Sequence, residues 1–270
     1  MKMTDQEFQR IAKYMKSKYG IDMFRKREII HGRLDNYVSQ GPWESFTEYM
    51  NQVENDPSGK LERKLVSILS TNHTYFMREF EHMEYLRGVI IPELKQKLAT
   101  TRDIHIWCGA SSTGEEPYIL AMLLQEAFGL EAQKWDTTVL ATDISTEVLQ
   151  TAQKGIYSME QIEPLPDSWK RRFFRRIPGE DYYQATEELR SQVLFRKLNL
   201  MEPFPFKKKM HVIFLRNVMI YFDQETKNRL IKKVYDCLEP GGYLFIGKTE
   251  TIDRSVAPFQ MIKPSVFRKK

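Results

Sequence analysis

Two adjacent carboxylates, Glu115 and Glu116, follow a strand-like run and a turn of small residues. Ile104-His105-Ile106-Trp107-Cys108 leads into Gly109-Ala110-Ser111-Ser112-Thr113-Gly114, and Pro117 stands just after the acids. Small residues let the backbone turn tightly, and a proline in the first turn of a helix gives up an N–H that has no helical partner there. The pattern is that of a nucleotide-binding turn, but not of a dinucleotide fingerprint. Only Gly109 and Gly114 are glycines, and carboxylates stand where a pyrophosphate would want bare amides. Glu115 and Glu116 repel phosphate and suit a ligand carrying a sulfonium and an ammonium group, as S-adenosylmethionine does. Taken alone, they also fit two helix-start acids facing the macrodipole.

About thirty residues on, Ala141-Thr142-Asp143-Ile144-Ser145 puts an acid at a strand end, where doubly wound sheets hold ribose hydroxyls. Asp143 also fits the start of the next helix. Phe214-Leu215-Arg216-Asn217-Val218-Met219-Ile220-Tyr221-Phe222-Asp223 ends a further strand and brings Asn217 and Tyr221 to the sheet's carboxyl edge, where ligands bind. A tyrosine there, taken alone, is more often packed than catalytic. His31, His73, His82, His105 and His211 are scattered, as are Cys108 and Cys237, so no metal site is expected. The two thiols are expected to be reduced rather than paired.

Such groups need a sheet behind them, and the spacing after residue 80 predicts one. Short apolar runs at 104–108, 138–141, 211–215, 243–246, 259–262 and 266–268 alternate with helical stretches at 118–128, 146–153 and 224–238, which is the mark of a parallel sheet with crossover helices. The stretch 156–199 breaks this alternation with a basic helix-like patch, then Ile177-Pro178-Gly179-Glu180-Asp181, then Val193-Leu194-Phe195. It reads as a small antiparallel insertion at about 156–198. Residues 1–70 instead carry helical periodicity. Thr4-x-x-Glu7 forms a capping box, Phe8, Ile11 and Met15 an inner stripe, and Ile30, Leu34 and Val38 a second stripe on a helix over 26–39. Two further helices are expected over 44–53 and 59–69. The expected organisation is a helical domain over 1–70, a linker over 71–83 and an α/β domain over 84–270.

Composition narrows the partners without choosing one. The chain has 270 residues, a formal net charge of +5 and a pI near 9.0, which suits an acidic partner: nucleic acid, an anionic membrane surface or an acidic protein segment. Lys207-Lys208-Lys209 and the pairs Arg171-Arg172 and Arg175-Arg176 read as solvated surface. No apolar run reaches the roughly 18–20 residues of a membrane span, and no secretory h-region follows Met1, so a cytoplasmic location is expected.

Asn72-His73-Thr74-Tyr75-Phe76-Met77-Arg78 resembles the N-x-T-x-F-F-R motif of the chemotaxis receptor glutamate methyltransferases, the CheR family, with Met77 replacing the second phenylalanine. The Ala110–Tyr118 turn, the Thr142–Leu149 segment and the Arg216–Asp223 segment are similar to three further motifs of that family, in the same order and spacing. The resemblance implies a Rossmann-like, S-adenosylmethionine-dependent methyltransferase sheet with helices on both faces, an inserted antiparallel subdomain and an N-terminal all-α domain. It implies methylation of glutamate side chains on methyl-accepting chemotaxis receptors, with S-adenosylhomocysteine as product. Cofactor contacts are implied for Asn72, Thr74, Arg78, Ala110, Glu116, Asp143, Asn199, Leu200, Arg216 and Asn217, with the choice between Glu115 and Glu116 open. Arg78 and Tyr221 are implied to be catalytic, as orienters of the substrate.

A glutamate with a pKa of about 4.3 is already ionised at neutral pH and needs no general base. The resemblance further implies that Lys26, Arg27 and Arg33 dock the helical cytoplasmic domain of the receptor, on a helix less basic than the family's. Some relatives bind a receptor's terminal pentapeptide at the inserted subdomain. Here Pro178-Gly179-Glu180-Asp181 is shorter and more acidic, which argues against a tether. Neither nucleic-acid binding nor membrane insertion is expected. Two alternatives are a cofactor-binding regulatory module and a methyltransferase acting on another protein or on nucleic acid. The second lacks an Asn-Pro-Pro-Tyr type of motif.

Overall fold

The computed structural model describes residues 1–270. Thr4 and Glu7 cap α1 (Asp5–Tyr19) reciprocally: the Glu7 carboxylate accepts from the Thr4 N–H at 2.8 Å, and the Thr4 hydroxyl accepts from the Glu7 N–H at 3.3 Å. Helices α2 (Arg27–Ser39), α3 (Phe46–Asn55) and α4 (Lys60–Leu69) complete a bundle. Ile11, Met15, Ile30, Leu34, Val38 and Phe46 are fully buried in a core of its own. Tyr14, Tyr19 and Lys18 of α1 all donate to one Glu62 oxygen of α4, at 2.7, 2.7 and 2.9 Å. Burial raises the Glu62 pKa, but these bonds and the Lys18 charge outweigh it and bring the carboxyl down to about 2.

A depressed carboxylate stabilises the fold above its unfolded pKa and loses that contribution as pH falls through the folded value. Glu62→Gln is therefore expected to cost about 1.5–3 kcal/mol in urea unfolding at pH 7, the usual worth of hydrogen bonds to a charged group. The difference from wild type should shrink between about pH 4.5 and pH 2.

After the linker, α5 (Glu81–Tyr85) runs through a π-helical turn at Leu86–Ile90 into α6 (Ile91–Lys97). The sequence reading places no helix here. Burial wins locally: Met83, Leu86, Ile90, Ile91 and Leu94 pack on the main core, and Pro92 falls in the first turn of α6.

The main sheet contains β1 (Ile106–Gly109), β2 (Val139–Asp143), β6 (Val193–Lys197), β7 (Met210–Leu215), β8 (Leu238–Ile246), β9 (Phe259–Lys263) and β10 (Val266–Lys269). Its order is β6-β2-β1-β7-β8-β10-β9. The strands from β6 to β8 are parallel, and β10 runs antiparallel to both neighbours. Chain order reverses between β1 and β7, which opens the crevice in which such sheets bind ligands. Ile106 and Cys108 share a core with α7 (Glu115–Phe128) and α8 (Thr146–Lys154), while Trp107 faces that of α12 (Gln224–Cys237).

Between α8 and β6 lies the insertion: β3 (Ile156–Ser158), β4 (Phe174–Arg176) and β5 (Tyr182–Ala185) form an antiparallel sheet in the order β3-β5-β4, with α9 (Met159–Ile162) and α10 (Asp167–Phe173) between strands and α11 (Glu187–Ser191) after them. Residues 193–197 belong to the main sheet rather than to the insertion. Val193 and Phe195 are buried while Leu194 is exposed, so an edge strand shows the same alternation as a small antiparallel piece.

The bundle closes over the sheet's carboxyl edge. The Asp22 N–H donates to the Tyr221 carbonyl at 2.8 Å, Ile21 bridges to Phe222, Lys16 pairs with Asp223 at 2.7 Å, and the Asn199 amide donates to the Lys18 carbonyl at 2.8 Å. Gly20 caps α1 at φ +71°, and a Cβ there would lie 2.5 Å from the Met201 sulfur. Only glycine permits that approach. No helix is long and apolar enough to cross a membrane.

Candidate active site

The β1–α7 turn holds three left-handed residues, Ala110 (φ +58°), Ser112 (φ +48°) and Gly114 (φ +99°). The Ser112 N–H donates to the Asp143 carboxylate at 2.9 Å, the Ser111 N–H to the Thr142 carbonyl at 2.9 Å, and the Tyr157 hydroxyl to the Thr113 carbonyl at 2.7 Å. Strain of this kind persists where surrounding contacts over-determine it, typically at ligand sites. A Cβ on Gly114 would approach Ala152 Cβ to 2.9 Å and Tyr157 Oη to 3.0 Å. Gly114→Ala is therefore expected to lose about 1–3 kcal/mol of stability. A lowered urea midpoint and weaker binding of S-adenosylhomocysteine by titration calorimetry would show it.

The two adjacent acids part company. Glu115 is 1% exposed and takes both of its bonds from the Thr113 hydroxyl, at 2.7 and 3.0 Å, and burial raises its pKa. Glu116 lines the crevice, where one oxygen faces the Cys108 thiol at 3.1 Å and the other pairs with Arg216. The side chain of Arg216 is 2% exposed and also pairs with Glu79 at 3.2 Å and donates to the Arg78 carbonyl at 2.7 Å. Burial raises the Glu79 pKa, but the guanidinium beside it and the bonds from Arg216 and Asn217 hold the carboxyl below the usual range. Asp143 is almost wholly buried, which raises its pKa against the opposing bonds from the Ser145, Ser112 and Ile144 N–H groups.

Asn72, Thr74, Arg78, Ala110, Asp143, Asn199, Leu200, Asn217 and Tyr221 line the same crevice as Glu116 and Arg216. Their roles differ in kind. Arg78 lies between two left-handed residues, Met77 and Glu79, donates to the His73 carbonyl at 2.9 Å, stands over the Tyr75 ring and has no carboxylate partner. Asn217 is also left-handed (φ +56°), and its amide reaches Glu79 at 3.4 Å. The Asn72 carbonyl accepts from the Ser112 hydroxyl at 2.7 Å. The amide of Asn199 is committed to the bundle.

The three cations of the second helix do not form one set. Lys26 reaches the crevice and stands over the Tyr221 ring, 5.3 Å from its centroid. Arg27 pairs with Asp5 and donates to the Met3 carbonyl at 2.6 Å. Arg33 donates to the Leu69 and Ser70 carbonyls at 3.1 and 2.9 Å, tying α2 to the end of α4.

Sequence reasoning missed Glu79, the pocket walls Ile144 and Val218, and Glu250. Glu79 directly follows the Asn72–Arg78 motif, which was the available signal. Glu250 lies in a loop without any motif.

These residues fit S-adenosylmethionine. The Ser111 hydroxyl is buried at the crevice without a hydrogen-bond partner, Asp143 retains acceptor capacity at the end of β2, and Glu116 offers negative charge where no phosphate could sit. A parallel sheet reversed beside β1, with carboxylates in the first turn of α7 and an acid ending β2, is the arrangement of an S-adenosylmethionine-dependent methyltransferase. Residues 72–267 match the family model described as CheR methyltransferase, SAM binding domain, and the chain belongs to the CheR methyltransferase family.

It is similar to the chemotaxis protein methyltransferase of Borreliella burgdorferi, 38% identical over 271 aligned positions that cover 99% of this chain and 95% of the relative. Chemotaxis protein methyltransferase 2 of Pseudomonas aeruginosa is 36% identical, covering 92% of this chain and 87% of its own. The chemotaxis protein methyltransferase of Escherichia coli is 32% identical, covering 98% and 91%.

Proposed function

We propose that this enzyme methylates glutamate side chains on the helical cytoplasmic domain of methyl-accepting chemotaxis receptors, forming glutamate methyl esters and S-adenosylhomocysteine. The observation that carries this reading is Arg78, a crevice-lining guanidinium without a carboxylate partner, in a site where Arg216 is already neutralised by Glu79 and Glu116. The cofactor supplies an electrophilic methyl group on a sulfonium, whose departure leaves a neutral thioether. Arg78 receives the incoming carboxylate through its planar fork and holds one oxygen free to attack. Tyr221 orients that carboxylate by its hydroxyl, and neither residue moves a proton. Closure by the bundle excludes water from the meeting of an anion with a cation, so that positioning supplies most of the acceleration.

Lys26 beside Tyr221 would guide an acidic receptor helix toward the crevice, with a smaller share from Arg27, which is paired with Asp5, and from Arg33, which is held at the end of α4. The enzyme would act in the cytoplasm. The β4–β5 turn, closed by the Arg176–Asp181 pair at 2.9 Å, offers little to a tether, and recognition is read as direct.

Transfer of radiolabelled methyl from S-adenosylmethionine to receptor-rich membranes, followed by a mild alkaline wash, tests the reading. Label released by base is expected, because esters hydrolyse and N-methyl groups do not. Label that survives the wash would overturn the assignment.

A further inference from the structure

Glu250 belongs to no motif and touches no candidate substrate group, yet it is 7% exposed and its carboxylate accepts four main-chain N–H groups. One oxygen accepts from Met219 at 2.7 Å and Ile220 at 3.3 Å, and the other from Asn217 at 2.8 Å and from Gly247 at 2.7 Å. Three of the four donors belong to Asn217–Tyr221, the segment after β7 that includes the 3-10 turn Met219–Tyr221. That segment begins with Asn217 in the left-handed region, a conformation that a non-glycine residue keeps only where its surroundings insist on it. Gly247 completes the arrangement. A Cβ there would lie 2.5 Å from the Asn217 amide nitrogen and 2.9 Å from the Glu250 carboxylate, so the missing side chain is what admits both. Capping of a three-residue turn does not require a carboxylate reaching across from another loop, whereas a fixed direction for Tyr221 does.

We infer that Glu250 is a positioning residue for methyl transfer: its carboxylate holds the Asn217–Tyr221 segment so that the Tyr221 side chain presents its hydroxyl in one orientation at the crevice. The inference rests on the orienting role proposed above for Tyr221. Glu250→Gln tests it, because the amide keeps one acceptor oxygen but turns an N–H₂ toward donors that need an acceptor.

With wild type transferring alkali-labile label, the variant is expected to lose about 10- to 100-fold in kcat, the scale of a small misplacement at a reacting centre. Its thermal midpoint is expected to fall, because buried N–H donors lose part of a charged acceptor, while its KM for S-adenosylmethionine should change less than kcat. In a Tyr221→Phe background the same substitution should cost less than about twofold, because residues acting through one another are not additive. A fluorotyrosine introduced at position 221 should show a shifted or broadened fluorine resonance in the variant, a readout independent of any substrate. An unchanged resonance, or a loss that multiplies fully in the Tyr221→Phe background, would overturn the inference. Absence of alkali-labile transfer by wild type would count against the proposed substrate instead and would leave the resonance to decide on Glu250.

Discussion

Arg78→Ala is expected to lower kcat for methyl transfer by about 100- to 1000-fold, the usual cost of removing one preorganised electrostatic contact from an active site. Binding of S-adenosylhomocysteine, followed by titration calorimetry, should change far less than turnover. The reasoning starts from charge already met. Arg216 has Glu79 and Glu116, and Arg27 has Asp5, whereas Arg78 makes one hydrogen bond to a carbonyl and stands over Tyr75. Its backbone is fixed from both sides by left-handed neighbours and by the Arg216 bond to its own carbonyl, so the side chain leaves from a rigid base. Arg78→Lys should recover only a small part of the rate, because an ammonium cannot reproduce the fork that grips both carboxylate oxygens. Turnover equal to wild type in the alanine variant would remove Arg78 from the reaction.

The largest effect on stability is expected from Arg216→Met, about 3–5 kcal/mol, because one substitution strands two partly buried carboxylates. The pH dependence carries a sign that tests the cause. In the wild type, Glu79 has a depressed pKa, so its contribution is present above the ordinary carboxylate range and is lost as pH falls through the folded value. In the variant, burial without the guanidinium would push Glu79 upward. The deficit is therefore expected to be largest near pH 7 and to narrow as Glu79 protonates. Urea midpoints at pH 7 and pH 5 would show this. Adding Glu79→Gln and Glu116→Gln to Arg216→Met should recover much of the loss at pH 7, because apolar or neutral groups at such sites cost less than an unpaired charge. A deficit independent of pH would mean that Arg216 acts through packing.

The site was legible in sequence where chemistry and local geometry coincide. The β1–α7 turn shows itself because its small residues and Pro117 serve the backbone, and Asp143 because it ends a strand. Glu79 and Glu250 were hidden for a different reason. Their partners are main-chain N–H groups and an arginine 137 positions away, and no spacing rule reports an acceptor supplied by a distant loop. The contacts of Arg33 were hidden for the same reason, since its guanidinium is tied to carbonyls at the end of α4, which composition alone cannot show. The helix at Glu81–Tyr85 and its continuation follow tertiary burial over local propensity, and the edge strand β6 differs from an antiparallel piece only in its neighbour.

The family model begins at residue 72, so sequence comparison alone would draw a minimal enzyme from that point. The hydrogen bonds between the bundle and the sheet edge argue against such a cut. A fragment lacking the first 71 residues would leave the Tyr221 carbonyl without its Asp22 partner and the Asn199 amide without its Lys18 partner, and would uncover Phe222 at the crevice. Dissecting the chain at the family boundary would remove the helices that hold the Tyr221 carbonyl and cover the sheet's carboxyl edge.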